Sequence, residues 1–295
     1  MTKKQGRQAK SRLGVLKTYK IYIGGKFPRT ESGRYYTAQS VSGDRIANIC
    51  LSSRKDFREA VVAARNAHKG WASRSAFNRS QVLYRIAEML EGRKIQFVEE
   101  MILQGMTRQS AMKEAGLAVD RLVYYAGWCD KYQQIFSSVN PVASSHFNFS
   151  VPEPMGVVAL IAHENTALLG LISVIAPAIA GGNTCIALAS ESLPLCSVTF
   201  GEVLHSSDVP GGVVNILTGK KKELVSQFSN HMDVNAIVYC GNDQNTASLI
   251  KSNSVTNLKR AIVKIESNLE SSEWESPYLI ADTQEIKTTW HPIGV

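Results

Sequence analysis

His163, Glu164 and Asn165 stand side by side after one apolar run, and Cys240 and Gly241 close another; these stretches are the best equipped for chemistry. A His-Glu pair opens the zinc-protease pattern, which needs a second histidine four residues after the first to complete a ligand face on a helix. Ala167 stands there, so metal chemistry is set aside and His163 reads as a polar strand-end residue. Gly219 and Lys220 look like the end of a phosphate-binding loop, but the upstream glycine and the following Ser or Thr are absent. No Gly-x-Gly-x-x-Gly follows any of the apolar runs. Five cysteines, odd in number and widely spaced, argue against a disulfide framework and a zinc cluster and fit a reducing cytoplasm. Cys185 and Cys196 read as core thiols, leaving Cys240, beside a glycine at a strand end, as the one cysteine placed to react.

Such groups need a scaffold, and the spacing of apolar residues predicts one. Residues 19–27 read as strand and turn around Gly24 and Gly25. Phe57, Ala60, Val61, Ala64, Ala67 and Trp71 recur at helical spacing over 56–71, and further helices are expected over 79–104 and 110–136. His68, Tyr124, Tyr125 and Trp128 read as packing on those helices rather than as a ligand pocket. A polar, strand-like passage spans 144–152, and then the period changes. Runs rich in Val, Ile and Ala at 155–162, 183–189, 213–219, 236–241 and 260–266 alternate with helical stretches at 167–180, 194–205, 221–229 and 244–251. That alternation predicts an α/β fold, a Rossmann-like parallel sheet with helices on both faces, preceded by a helical N-terminal region. Ligands of such sheets bind at the carboxyl ends of the strands, where His163, Asn165, Ser190, Glu191 and Gly241 fall. Residues 269–277 read as a loop.

The net charge of +8 would point to nucleic acid if it were spread over the fold. It is concentrated instead: residues 1–30 hold nine basic side chains and no acid, while the other 265 residues carry 24 basic and 25 acidic ones. The body is thus close to neutral, which argues against a nucleic-acid partner. Residues 1–18 are expected to be a basic disordered arm; contact with phosphate or anionic lipid, or targeting, are its functional alternatives. No apolar run follows the first charges, so no secretory signal is expected. The longest apolar stretch, 168–180, falls short of the roughly 20 residues that span a bilayer.

The run Pro154, Met155, Gly156, Val157, Val158, with the later run from Ile175 through Ala180 to Gly181, Gly182, Asn183 and Thr184, resembles the cofactor domain of the aldehyde dehydrogenases. Val209, Pro210, Gly211, Gly212, Val213, Val214, Asn215, Ile216, Leu217, Thr218, Gly219 is similar to another signature of that family, and Gly24-Gly25 and the stretch from Tyr124 to Trp128 match it further upstream. The resemblance covers about residues 19–270. It implies oxidation of aldehydes with NAD or NADP by a cysteine thiolate, an asparagine that stabilises the oxyanion and a glutamate base.

Carried over position by position, little of that machinery is intact. The family's Pro-Trp-Asn reads His163, Glu164, Asn165, so the asparagine is kept and its neighbours are not. The ribose-binding Lys-Pro-Ser-Glu reads Leu188, Ala189, Ser190, Glu191; losing the charged donor costs about 1.5–3 kcal/mol, and Glu191 is the expected remaining ribose contact. Phe-Thr-Gly-Ser has become Tyr239, Cys240, Gly241, Asn242, and Thr246 stands near the second glycine, so close approach to the pyrophosphate is less easy. Ser190, Gly241 and Asn165 complete the expected cofactor contacts. Leu-Glu-Leu-Gly-Gly aligns with Val263, Lys264, Ile265, Glu266, Ser267, which puts an ammonium where the base carboxylate belongs, with Glu266 displaced in the motif. No cysteine follows Cys240.

These substitutions imply a truncated form without the catalytic domain, similar to the second, shortened unit of aldehyde dehydrogenase family 16. Residues 271–295 would be a C-terminal tail left from the start of that domain. Three function classes follow: a catalytically inactive partner or regulatory subunit of a full-length dehydrogenase, a weak NAD(P) binder acting as a sensor, or one half of a two-chain oxidoreductase. NAD or NADP would bind weakly or not at all. Loss of the catalytic domain and of its strand-bearing arm would leave a sheet face and edge uncovered, with 144–152 as the contact for a full-length dehydrogenase or a second copy.

Overall fold

The computed structural model describes residues 15–265 and 268–294. The chain opens with β1 (Thr18–Tyr19), β2 (Tyr35–Gln39) and β3 (Arg45–Cys50), a small sheet in the order β1-β3-β2. Helices α1 (Arg54–Ala72), α2 (Ala76–Gly92), α3 (Lys94–Leu103), α4 (Arg108–Trp128) and α5 (Tyr132–Phe136) follow, then β4 (Ser138–Asn140) and β5 (His146–Pro154). The alternating half comprises β6 (Val157–Ile161), α6 (Leu169–Ala180), β7 (Thr184–Leu188), α7 (Leu195–His205), β8 (Val214–Leu217), α8 (Lys221–Asn230), β9 (Ala236–Cys240), α9 (Gln244–Ser254) and β10 (Arg260–Lys264). A short α10 (Tyr278–Ala281) and β11 (Gln284–Pro292) come last.

Strands β6 to β10 form one parallel sheet in the order β10-β9-β6-β7-β8, the doubly wound arrangement expected from the alternation. The two-residue period of a strand divides its side chains between two cores. Val157, Ala159 and Ile161 face α1, α8 and α9, whereas Val158 and Leu160 face the side of α2, α4 and α6. The outer edge of β8 is closed by Tyr22, whose amide and carbonyl both bond to Ile216, at 2.9 and 2.7 Å. Gly24-Gly25 turns there with positive φ, and its backbone runs so close to the next glycine pair that a Cβ on Gly211 would lie 2.6 Å from the Gly24 carbonyl oxygen. The two glycine pairs, distant in the chain, thus meet in one backbone contact.

Two expected helices are broken. The 79–104 helix divides at Arg93, where the Arg93 amide bonds back to Leu90 in a tight last turn after Gly92, and the 110–136 helix stops at Trp128 in the same manner. The tail expected over 271–295 also has a definite place: β11 pairs antiparallel with β5 along its whole length, from Gln284 opposite Pro154 to Pro292 opposite His146. The expectation that no strand-bearing arm follows the sheet is therefore corrected. Together β4, β5 and β11 form a third sheet. No described helix is long and apolar enough to cross a membrane.

Helix α6 is buried at every residue, packed between the sheet and helices α2, α4 and α10. Its first amides have no water to bond to. Glu114, reaching from α4, accepts from Leu168 and Leu169 at 2.8 and 3.1 Å, placing a carboxylate at the positive end of the helix. Glu114→Ala should lower unfolding free energy by about 1.5–3 kcal/mol in urea titrations, with Glu114→Gln losing less because it keeps an acceptor. A loss within about 0.5 kcal/mol for both variants would show that the helix start does not need this side chain.

Candidate functional site

In a doubly wound sheet the crevice lies where the strand order reverses, here between β6 and β9. A cavity of about 490 Å³ opens there, lined by His163, Asn165 and Thr166 from the end of β6, Asn242 from the end of β9, Glu114, and Asn268 from the C-terminal segment. Its walls carry amides, hydroxyls, an imidazole and the two carboxylates of Glu114 and Glu270. Of the residues singled out in the sequence, the structure brings His163, Asn165 and Asn242 to this cavity. His163 is buried and meets the Trp274 ring edge-on, 4.8 Å between centroids. Trp274 comes from the 269–277 segment, which is a loop with one turn of 3-10 helix, held by Tyr125, whose hydroxyl donates to the Trp274 carbonyl at 2.8 Å.

Glu191 and Ser190 lie elsewhere, at the end of β7, and both are engaged by neighbouring parts of the chain. The Glu191 carboxylate takes the Lys220 ammonium at 2.7 Å and the Lys221 amide at 3.1 Å, so it sits against the start of α8. Lys221 turns its ammonium to Glu164, 3.3 Å away. Burial works against the charge on Glu164, but the Ser192 amide and hydroxyl and the Lys221 ammonium outweigh it and hold the carboxyl below its ordinary value. The Ser190 hydroxyl donates to the Glu164 carbonyl at 2.7 Å. Leu188, where the family has its lysine, is buried in the sheet.

Gly241 has no room for a side chain, since a Cβ would lie 2.5 Å from the Tyr239 hydroxyl, and its amide bonds to the Lys264 carbonyl at 3.1 Å. At the start of α9 the amides of Asn245 and Thr246 are taken by the Asp243 carboxylate, at 3.1 and 3.2 Å. Asp243 was missed in the sequence, although an aspartate just ahead of a helical stretch is an N-cap signature. It matters here because those amides are the ones a bound phosphate would use.

Lys264 does not line the strand-end cavity. Its ammonium pairs with Asp282, 2.6 Å away, beside Trp274 and Leu279 in a smaller apolar recess. Glu266 and Ser267 lie outside the described residues. Cys240 is fully buried in the core, like the other four cysteines, and so is closed to a solvent-borne substrate. No group of His, Cys, Asp and Glu among the described residues is arranged to hold a metal ion.

Residues 27–270 match the model of the aldehyde dehydrogenase family. The chain is 28% identical over 264 residues to mouse cytosolic 10-formyltetrahydrofolate dehydrogenase, covering 88% of this chain and 29% of that protein. It is 29% identical to the putative aldehyde dehydrogenase DhaS of Bacillus subtilis, over 84% of this chain and 50% of that one. Among solved structures, the NAD+ complex of a Bacillus cereus aldehyde dehydrogenase is similar with a TM-score of 0.80 at 25% identity, over 84% of this chain and 51% of the other. A putative aldehyde dehydrogenase from Burkholderia cenocepacia gives 0.80 at 27%, over 85% and 51%. The chain thus spans about half or less of the length of these relatives.

The Lys264–Asp282 pair makes a charge-swap test direct. Lys264→Glu should cost about 1–2 kcal/mol by setting two carboxylates together, and adding Asp282→Lys should recover at least half of it. Additive losses in the double variant would show that the two side chains do not interact.

Proposed function

Because the chain belongs to the aldehyde dehydrogenase family, we propose that it serves as a catalytically silent member, acting as a partner or regulatory subunit of a full-length NAD(P)-dependent dehydrogenase. One observation supports the silent half of this reading: the ammonium of Lys264, which the motif aligns with the family's base, is held by Asp282 at 2.6 Å. A protonated amine in an ion pair takes no proton from water, so hydrolysis of an acyl intermediate has no base there. The cofactor residues fit a dinucleotide poorly. Glu191 is tied to Lys220, Glu164 to Lys221, and the α9 amides to Asp243, so each group would have to exchange a partner already in place for the ligand.

The third sheet supports the partner half. Along β4 and β5, Val139 and Phe147 are exposed beside Phe149 and Val151, and β11 exposes Ile286 and Trp290. Apolar side chains next to open strand edges are suited to pairing with another chain, whether a full-length dehydrogenase or a second copy. Weak dinucleotide binding, as in a sensor, is the second reading, favoured by the strand-end cavity that Asn165 and Asn242 line.

Given NAD+ and acetaldehyde, these 295 residues should reduce no cofactor above a buffer control, since losing a nucleophile alone costs on the order of 10⁶ in kcat in a well-characterised protease. Calorimetry with NAD+ should give weak binding at best. Turnover abolished by Cys240→Ala would overturn the silent assignment.

Mixed with a full-length dehydrogenase from the same cell, the chain should co-elute in size-exclusion chromatography, and Phe147→Ser with Trp290→Ser should weaken the mixed species at least tenfold. Elution as an unchanged monomer at micromolar concentration would reject the partner role.

A further inference from the structure

A second concavity lies in the helical layer outside the sheet and shares no residue with the strand-end cavity. It is a groove of about 300 Å³ between α1 and the end of α8. Its floor is rigid: Phe57 stacks on Phe228 with 4.3 Å between centroids and meets His231 edge-on at 5.7 Å. Its walls carry the guanidinium groups of Arg54 and Arg58 and the side-chain amides of Gln227 and Asn230, and no carboxylate.

The charges around this groove are in conflict. Arg54 and Arg58 are exposed one turn apart at the start of α1, where the helix end is already positive and a second cation four residues on repels the first. Neither guanidinium has a hydrogen bond or ion pair among the described residues. Three nearby acids are committed elsewhere: Asp56 binds the amides of Ser53 and Glu31, Glu31 holds Lys55, and Asp233 holds Arg65, while Glu59, next to Arg58 on α1, does not line the groove. A further cation lies beneath, since the Lys259 ammonium donates to the carbonyls of Ser229 and His231 at 2.8 and 2.9 Å. His231 accepts the Asp233 amide through Nδ1 at 3.2 Å, leaving Nε2 as the ring's donor. Departures from local electrostatic preference with no compensating contact are characteristic of binding sites.

We propose that this groove binds a phosphate monoester carried on a small ring-bearing or apolar body. Two guanidinium forks, two amides and an imidazole N–H match the acceptor oxygens of a phosphate, and the exposed Met232, beside the Phe57–Phe228 stack, offers an apolar surface on which such a body would lie. The volume is at the small end of ligand sites, which suits a small molecule better than a peptide track.

Thermal melts of the full chain with phenyl phosphate as the probe, at ionic strength matched with chloride, test this. Phenyl phosphate at 10 mM should raise Tm by about 2–4 °C, and inorganic phosphate by less. The Arg54→Gln/Arg58→Gln variant should lose that shift while melting, without ligand, at or above the parent temperature, because the like-charge repulsion is gone. The proposal is overturned if phenyl phosphate gives no shift over chloride, if inorganic phosphate does as well, or if the double variant keeps the shift. It is equally overturned if the unliganded double variant melts well below the parent.

Discussion

A helix buried along its whole length can begin only where its first amides find an acceptor inside the protein, and for α6 that acceptor is Glu114. One side chain thereby fixes how the N-terminal helices sit against the parallel sheet, because α4 supplies the carboxylate and α6 is the sheet's own crossover. The same carboxylate forms part of the wall of the strand-end cavity. Packing and site geometry therefore share a single polar contact in this fold, and a change at Glu114 reaches both.

The second constraint is the covering of α6 and of the sheet's β10 edge. Residues 268–285 do this locally. Arg121, almost wholly buried, donates to Ser173 on α6 and to the Leu269 carbonyl at 2.7 and 2.9 Å, while Asn183 and Gln284 bond across to Thr283 and Gly181. Arg260 on β10 takes the Asp282 and Gln284 carbonyls. Leu269, Trp274 and Ile280 are buried as a result, so the apolar face beneath them is closed by the backbone carbonyls and buried donors of this segment.

The five parallel strands and the helices between them were legible because each strand is a short apolar run and each helix has a periodic face. The breaks at Arg93 and Trp128 were not, since the apolar period carries on across both. β11 was invisible for the opposite reason: eight of its nine side chains are exposed, so no alternation marks it. At the site, Lys264 could be singled out from the motif, but Asp282, its partner 18 residues on, could not. Glu191 offered the right acceptor for a ribose, yet the lysines that occupy it belong to a different loop. Glu114 looked like any acid on a helix surface, because nothing local marks an acid as buried.

The pairing of β5 with β11 joins residues 130 to 146 positions apart in the chain. Contacts of that span form late, because the whole doubly wound sheet must close the loop between them first. During synthesis β5 leaves the ribosome long before its partner, and from then until residue 292 is made it presents a bare row of backbone donors and acceptors on that side. The third sheet is thus a step at which a nascent chain is exposed to mispairing.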